Sequence, residues 1–409
     1  MRTVLLFTLL LFTTVASSLR AQSQPPVYVV LFTHIEDNQP SSTLGTPDAA
    51  IQYRSARSNA IAMGRLAARY GVQWVYQPDW KLLRAALIYE DSAMRSSTGG
   101  LNLFRYLRDS LGVVIDPHSH EKLGYNYTDV AHLLDSLGVG GSNVIGGHVY
   151  DPTLPQFQEW DRFRDTVAGT TYPWAKWRGE ILMGSGTPNH VDDPCPSGVW
   201  RPMDRFNYWM DDPAGNIVCV GQYKGDISSI AELVDFYRTG EVDTSKMLTA
   251  TYHINPSTIQ SSATLAAVED TVLKPLVAMR DRGEVELTDF TSLVSTWRSR
   301  FGARAYIYDC KGVVTTSAES ERSASGMELR VVPHPVERSA TSVIELLTPS
   351  EGDATLVIHD MVGRVVWEHS FELEGKREYQ FRLPELDPGM YVLSFVTSGR
   401  VTYRPFVQM

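Results

Sequence analysis

The first three-quarters of the chain repeats a simple pattern, in which a short apolar run is followed by a longer amphipathic stretch. Apolar runs such as 27–33, 72–76 and 248–252 are typical of buried strands, and stretches such as 49–70 and 80–94 have the spacing of helices. Alternation of this kind predicts βα units and a parallel sheet. About seven such units fit a closed or nearly closed (β/α) barrel better than an open sheet, so we predict an α/β barrel over residues 26–312.

The pattern changes after this region. Residues 313–326 are rich in Ser, Glu and Arg, a composition typical of a linker. Residues 327–409 contain about seven short strand-like runs that are separated by turn-forming residues. These runs predict a small all-β, immunoglobulin-like sandwich as a second domain.

The N-terminus has the features of an export signal. Arg2 precedes an apolar run over 4–15, and small residues follow it, which predicts a signal peptide over residues 1–22. The run is shorter than the roughly 20 apolar residues that a membrane span needs, and we expect no transmembrane segment. The chain is therefore expected to be secreted or attached to the cell surface, with an uncleaved anchor as the alternative.

Charge and cysteine content narrow the classes of function. Acidic residues outnumber basic ones by 47 to 37 without any basic run, so nucleic acid is not an expected partner. Three cysteines are too few for a disulfide framework. One bridge, between Cys195 and Cys219, and three reduced thiols remain equally open.

Six histidines follow strand-like runs or lie in loops just after them. In α/β folds the loops at the carboxyl ends of strands converge on the active site. Imidazoles and carboxylates gathered at such a place are the ligands of divalent metals. The histidines are His34, His118, His120, His148, His190 and His253, and the neighbouring carboxylates are Glu36, Asp37, Asp116 and Asp151.

Two segments contain the most specific candidates for catalytic and metal-binding residues. In the segment 33–38, Glu36 and Asp37 are adjacent carboxylates that can divide their work, one binding a metal and the other abstracting a proton; a helix cap or a solvated acidic turn is the alternative. In the segment 116–121, either His118 or His120 can bind the ion while the other supports it. Aromatic residues of the long irregular stretch 151–220, such as Trp174 and Trp200, can stack on sugars or pack in the core.

The last eighty or so residues resemble the type A sorting domain of the type IX secretion system. The motifs are Pro333-His-Pro-Val336, Ile358-His-Asp-Met-Val-Gly-Arg-Val-Val366, Leu386-Asp-Pro-Gly-Met-Tyr-Val-Leu393 and the terminal Phe406-Val-Gln-Met409. The resemblance implies that the secretion machinery is a partner and that the protein is exported across both membranes. A generic carbohydrate-binding sandwich is the alternative.

Residues 27–300 are similar to a polysaccharide deacetylase (NodB-like) domain. Thr33–Asp37 resembles that family's first motif, with one residue inserted and Glu36 in place of Asp. His118-Ser119 resembles the start of its second motif, where Lys122 stands at the position of the second histidine. Trp200-Arg-Pro202 is similar to its Arg-x-Pro element, and His253 to its late histidine.

The deacetylase resemblance implies roles for these residues. Glu36 is expected to act as the base and His253 as the acid. Zinc, with cobalt or nickel as alternatives, is expected to be bound by Asp37 and His118, with His120 or His148 completing the site. The expected substrate-binding residues are His34, Asp151, Trp174, His190, Trp200 and Arg201.

The sequence leaves three functions open. The first is a metal-dependent hydrolase that removes N-acetyl groups from a polysaccharide or oligosaccharide. The second is a metal-free glycosidase that uses carboxylates such as Glu36 and Asp151. The third is an inactive barrel that only binds glycan at the cell surface.

Overall fold

The computed structural model describes ten segments of the chain: residues 24–147, 159–183, 196–204, 208–309, 328–332, 343–347, 351–360, 364–374, 378–397 and 400–408. The predicted signal peptide and linker lie outside the described residues. So do His148, Asp151, His190, Cys195 and Cys310. Predictions that concern them therefore stay predictions.

The region before residue 310 alternates strands and helices. Its strands are β1 (Val27–Ile35), β2 (Trp74–Pro78), β3 (Val114–Ile115), β4 (Val144–Ile145), β5 (Val167–Ala168), β6 (Lys176–Trp177), β7 (Ile181–Met183), β8 (Pro196–Trp200), β9 (Val218–Val220), β10 (Thr249–His253), β11 (Val285–Leu287) and β12 (Tyr306–Asp309). Its α-helices are α1 (Pro47–Arg69), α2 (Trp80–Tyr89), α3 (Ser92–Ser96), α4 (Leu103–Leu111), α5 (Tyr127–Ser136), α6 (Ile227–Thr239), α7 (Ser262–Val268), α8 (Lys274–Asp281) and α9 (Phe290–Arg300). Short 3-10 turns cover Glu159–Arg164 and Pro256–Ile259, and a π-helical turn covers Glu269–Leu273.

A parallel sheet in the order β10-β1-β2-β3 organises this region, with β11 also paired to β1. A second sheet has the order β12-β8-β9-β7-β4, in which β4, β7 and β9 are parallel. The two sheets meet at two places. A parallel bridge joins His118 to Gly146, and the Thr251 amide donates to the Gln222 carbonyl at 2.9 Å.

Strand β1 separates two apolar layers because successive side chains of a strand point to opposite faces. Val29 and Leu31 belong to the cluster that contains the buried faces of helices α1, α2 and α4. Val30 and Phe32 belong to the other cluster, which the apolar face of α9 covers. The even-numbered face of β1 therefore leads from an apolar layer towards His34 at the carboxyl end of the strand.

The C-terminal region is all-β. Its strands are β13 (Glu328–Val332), β14 (Val343–Leu347), β15 (Glu351–Asp360), β16 (Val365–Glu374), β17 (Glu378–Arg382), β18 (Gly389–Thr397) and β19 (Arg400–Gln408). They form two antiparallel sheets in the orders β13-β14-β17 and β16-β15-β18-β19. Residues of both sheets, such as Ile344 and Leu393, share one buried cluster.

The structure confirms the predicted mixed α/β class with a parallel sheet and surrounding helices. The seven-unit barrel and the immunoglobulin-like sandwich stay predictions. No helix in the described part of the chain combines the length and the apolar character needed to cross a bilayer.

Candidate metal centre

Three strand ends bring polar side chains to one edge of the parallel sheet. His34 lies near the end of β1 and Glu36 follows it, while His118 and His120 follow β3. His253 is the last residue of β10 and is in register with Phe32 of β1. Because these strands are parallel, their carboxyl ends meet at the same edge.

Three of these side chains form a group that can hold a metal ion. One ligand atom each of His34, Glu36 and His118 lies within 4.8 Å of the others. The His34 Nε2 atom is 3.3 Å from Glu36 Oε1, and His118 Nε2 is 3.8 Å from Glu36 Oε2. Ligand atoms about 2.0–2.1 Å from a tetrahedral ion lie about 3.4 Å from one another. The spacing therefore fits a first-row divalent cation.

The protonation states of these three side chains also favour the binding of a cation. Burial, with the neighbouring His118 and His253, lowers the pKa of His34 to about 2. Burial likewise lowers the pKa of His118, whose side chain is fully buried. Burial raises the pKa of Glu36, but its contacts with His118 and His120 outweigh this and hold the pKa well below its ordinary value. Two neutral imidazoles and one carboxylate can therefore face the same point, a donor set known from catalytic zinc sites.

Close packing surrounds the His118 ring. Neither of its ring nitrogens has a hydrogen-bond partner among the described residues. A Cβ atom on Gly147, whose φ is +70°, would lie only 2.1 Å from the His118 Nδ1 atom. Gly147 thus lets the backbone pass close to the imidazole.

Two further histidines border the group. His120 Nε2 lies 2.6 Å from Glu36 Oε2, and this contact raises the pKa of His120. The His253 ring stacks on Phe32 at a centroid distance of 5.0 Å and lies 4.2 Å from the His34 ring. Both residues are partly exposed.

The structure adds residues that sequence reasoning missed, at the end of β2. Asp79 is 1 % exposed, and its Oδ2 atom has no partner in the described part of the chain. Burial, with the nearby charge of Asp37, raises the pKa of Asp79 to about 7. Gln77, fully buried, is in register with His34. The sequence signal for them is the strand-like run 72–76, because the polar residues Gln77 and Asp79 lie at its carboxyl end.

The structure places some of the predicted site residues together and others apart. The structure brings His34, Glu36, His118, His120 and His253 together. Asp37 is close enough to Asp79 to affect its pKa but is not in the group of three. His34, predicted to bind substrate, is in that group instead. The individual roles of base, acid and ligand stay predictions.

One of the predicted substrate-binding residues, Trp200, requires correction, and the role of Arg201 stays a prediction. Trp200 is fully buried, and its indole N–H donates to the Tyr208 carbonyl at 2.8 Å, so it has no free face for a sugar. Arg201 makes two contacts with the Asp211 carboxylate, at 3.0 and 2.6 Å, which engage its guanidinium within the protein. Trp174, by contrast, is 71 % exposed.

The comparisons assign no family. No family model matches the chain, and no curated protein matches it. Among solved structures, CopC from Methylosinus trichosporium OB3b is 22% identical with a TM-score of 0.16, over 20% of this chain and 90% of CopC. An engineered protein is 12% identical with a TM-score of 0.21, over 94% and 93% of the two chains. A Cellulomonas fimi endo-beta-1,4-mannanase double mutant is 10% identical with a TM-score of 0.21, over 93% and 77%. These similarities carry no assignment of fold or activity.

Proposed function

We propose that this protein is a secreted or surface-attached, metal-dependent hydrolase that removes N-acetyl groups from a polysaccharide. The observation that carries the proposal is the group of His34, Glu36 and His118 at the carboxyl edge of the parallel sheet. Zinc is the proposed ion, with cobalt or nickel as alternatives, because imidazole and carboxylate ligands suit these metals. The choice of an N-acetylated substrate depends on the deacetylase resemblance.

The geometry favours an exchange of roles between the two adjacent carboxylates. Glu36, with His34 and His118, would hold the ion, because its oxygens lie between the two imidazoles. When bound, a divalent cation polarises an amide carbonyl and acidifies a water molecule. Asp37 would then accept the proton of the attacking water, and His253 would protonate the leaving amine.

The finer fold is part of the proposal. The bridge between His118 and Gly146 and the hydrogen bond between Thr251 and Gln222 link both ends of the two sheets. These links support a ring of seven parallel strands, β1, β2, β3, β4, β7, β9 and β10. The shared apolar cluster of the two C-terminal sheets supports an immunoglobulin-like sandwich, for which the sequence motifs favour a role in type IX secretion.

Metal content and acetate release test the proposal together. We expect purified protein to contain about one zinc, cobalt or nickel ion per chain by mass spectrometry. It should release acetate from an N-acetylglucosamine hexamer, and EDTA should abolish the release. Glu36→Gln and His118→Ala should lose both the metal and the activity. The matched control is His369→Ala, an exposed histidine of β16, which should keep both.

Other results would select the alternatives. Production of new reducing ends without acetate, unaffected by EDTA, would indicate a metal-free glycosidase. Glycan binding without metal or turnover would indicate an inactive binding protein. Full metal content in Glu36→Gln would rule out the proposed ligand group.

A further inference from the structure

A cavity of about 300 Å³ lies between helix α1, strands β1 and β2 and the 3-10 turn Pro256–Ile259. This volume is at the lower end of the range for small-molecule sites. Two of the lining residues, Ser55 and Gln260, are exposed, so the cavity can be reached from solvent. Four lining residues carry a side-chain amide, and we therefore call it the amide cavity. They are Gln39, Gln52, Asn59 and Gln260.

The amide cavity is on the opposite face of β1 from the candidate metal centre. Ile35 lines the cavity and belongs to the apolar cluster that contains the buried face of α1. His34, its chain neighbour, is in the proposed ligand group. Because successive side chains of a strand point to opposite faces, the cavity and the metal centre are separate sites.

Most of the amides that line the cavity are free to bind a ligand. Gln52 is engaged within the protein, because its Oε1 atom accepts from the Ser42 amide at 3.0 Å and its Nε2 atom donates to Ser42 Oγ at 3.1 Å. The side chains of Gln39, Asn59 and Gln260 make no hydrogen bond within the described part of the chain. Each of these three amides presents a donor beside an acceptor.

A buried tyrosine also lines the amide cavity. Tyr76 is 1 % exposed, and its hydroxyl makes no hydrogen bond with any residue that the structure describes. Burial raises the pKa of Tyr76, so the hydroxyl keeps its proton at neutral pH. A buried hydroxyl without a partner costs free energy. A ligand that accepts a hydrogen bond from this hydroxyl would remove the cost.

We propose that the amide cavity binds a small, uncharged molecule that carries a carboxamide or an equivalent edge on an apolar body. None of the described residues that line the cavity is charged, so a charged ligand would lose its hydration without gaining an opposite charge. A carboxamide side chain can form two hydrogen bonds with an edge that also offers a donor beside an acceptor, as Asn and Gln do with adenine. Ile35, Ala56 and Ile259 supply apolar surface for the rest of the molecule. This binding requires neither the metal centre nor the deacetylase resemblance.

Nicotinamide and nicotinate are matched probes for this site, because they carry a carboxamide and a carboxylate on the same ring. We would titrate each of them into the EDTA-treated full chain by calorimetry, so that neither probe binds through a metal ion. We expect nicotinamide to bind at least about tenfold more tightly than nicotinate. The comparison of the two probes needs no variant of the protein.

Two variants locate the site of nicotinamide binding. Asn59→Leu keeps the approximate size of the side chain and removes one free amide, and Ala56→Leu places a larger side chain against the cavity. We expect each of them to bind nicotinamide at least about tenfold more weakly than the wild type. The control Ile51→Ala removes an exposed side chain of α1 that does not line the cavity, and it should bind as the wild type does. Thermal melting would show that each variant is folded.

Four results would each overturn the proposal: no binding of nicotinamide, equal affinities for the two probes, unchanged affinity in Asn59→Leu or Ala56→Leu, or an equal loss in Ile51→Ala. Binding of glucose in place of nicotinamide would also overturn it and would assign the cavity to polyols. Because the protein is metal-free in this experiment, a failure of the proposed hydrolase activity does not affect the result. Conversely, Asn59→Leu and Ala56→Leu should retain the metal, so an empty amide cavity leaves the metal centre testable.

Discussion

Asp116 is a buried carboxylic acid two residues before His118 of the candidate metal centre. It is 2 % exposed, and its Oδ1 atom accepts a hydrogen bond from Ser142 Oγ at 2.6 Å. Burial, helped by the nearby charge of Asp289, raises the pKa of Asp116 from 3.8 to about 7. Between these pH values the folded protein keeps a proton that the unfolded chain has lost. The free energy of unfolding should therefore fall as the pH rises through this window.

Replacing Asp116 should remove part of this pH dependence. In metal-free protein, we expect the wild type to lose stability relative to Asp116→Asn as the pH rises, by up to about 1.4 kcal/mol per pH unit. Urea denaturation at several pH values between 4 and 7 would measure it. Parallel curves for the two proteins would show that the pKa of Asp116 is the same in the folded and unfolded states.

The glycine behind His118 permits a second residue-scale prediction. Gly147→Ala places a Cβ atom 2.1 Å from the imidazole and also forces alanine to adopt a φ of +70°. The backbone strain alone costs roughly 1–2 kcal/mol. Because His118 must also move, we expect the affinity for zinc to fall at least about tenfold.

A matched variant separates the two effects. Gly112→Ala has nearly the same φ, +71°, but its Cβ atom would have no heavy atom within 4 Å apart from its chain neighbours. Gly112→Ala should lose about as much stability as Gly147→Ala, as measured by thermal melting. Its zinc affinity, measured by competitive titration, should stay that of the wild type. Equal zinc affinities in the two variants would show that the imidazole does not need this close approach.

At the scale of elements, one buried carboxylate joins three helices. Glu90, just after α2, accepts hydrogen bonds from the Tyr53 hydroxyl at 2.6 Å and Arg57 Nε at 3.2 Å, both on α1. It also accepts from the Leu103 amide at 2.9 Å, at the start of α4. Its side chain is fully buried. Losing one partner of a buried ion pair leaves the other charge uncompensated.

Glu90→Gln should therefore destabilise the protein by about 2–4 kcal/mol, as measured by urea denaturation. The comparison is Asp270→Asn, which breaks the exposed pair with Lys274 and should cost less than about 1 kcal/mol. Similar effects of the two changes would contradict a special role for the buried carboxylate.

The same residue explains where sequence reasoning fell short for the helices. Periodicity predicted one helix over 80–94, but α2 ends at Tyr89 and Asp91 caps a separate helix, α3. Glu90 contacts residues of α1 and α4 that are distant from it in the sequence. Helical periodicity holds no information about such contacts. The burial of Trp200 was hidden for the same reason, because the cluster that encloses it contains residues as distant as Tyr127 and Ile145.

Part of the candidate site could be predicted from the sequence because strand ends are local features. His34, His118 and His253 could be placed at one edge from their strands alone. The alternation of a strand also favours Glu36 over Asp37 as the partner of His34, since residues two apart share a face. The contact of both His118 and His120 with Glu36 could not be derived, because it depends on how β3 pairs with its neighbours.

At the scale of the whole molecule, the apolar clusters divide the chain. The cluster of the two C-terminal sheets contains only residues from Leu329 to Phe406. The three other clusters contain no described residue beyond Tyr308. Each part thus has a core of its own, which is the physical requirement for independent folding.

A chain that ends at residue 312 should therefore fold and keep its metal centre. We expect the shortened protein to unfold in one cooperative transition. The apolar clusters on the two faces of β1, one against α1, α2 and α4 and the other against α9, are both complete without the C-terminal sheets. Its zinc content should equal that of the longer chain, since His34, Glu36 and His118 all lie within the retained part. Calorimetry and metal analysis of both proteins would measure this. Loss of the cooperative transition would mean that the α/β region needs the C-terminal sheets for stability, whereas a normal transition without zinc would place a missing ligand beyond residue 312.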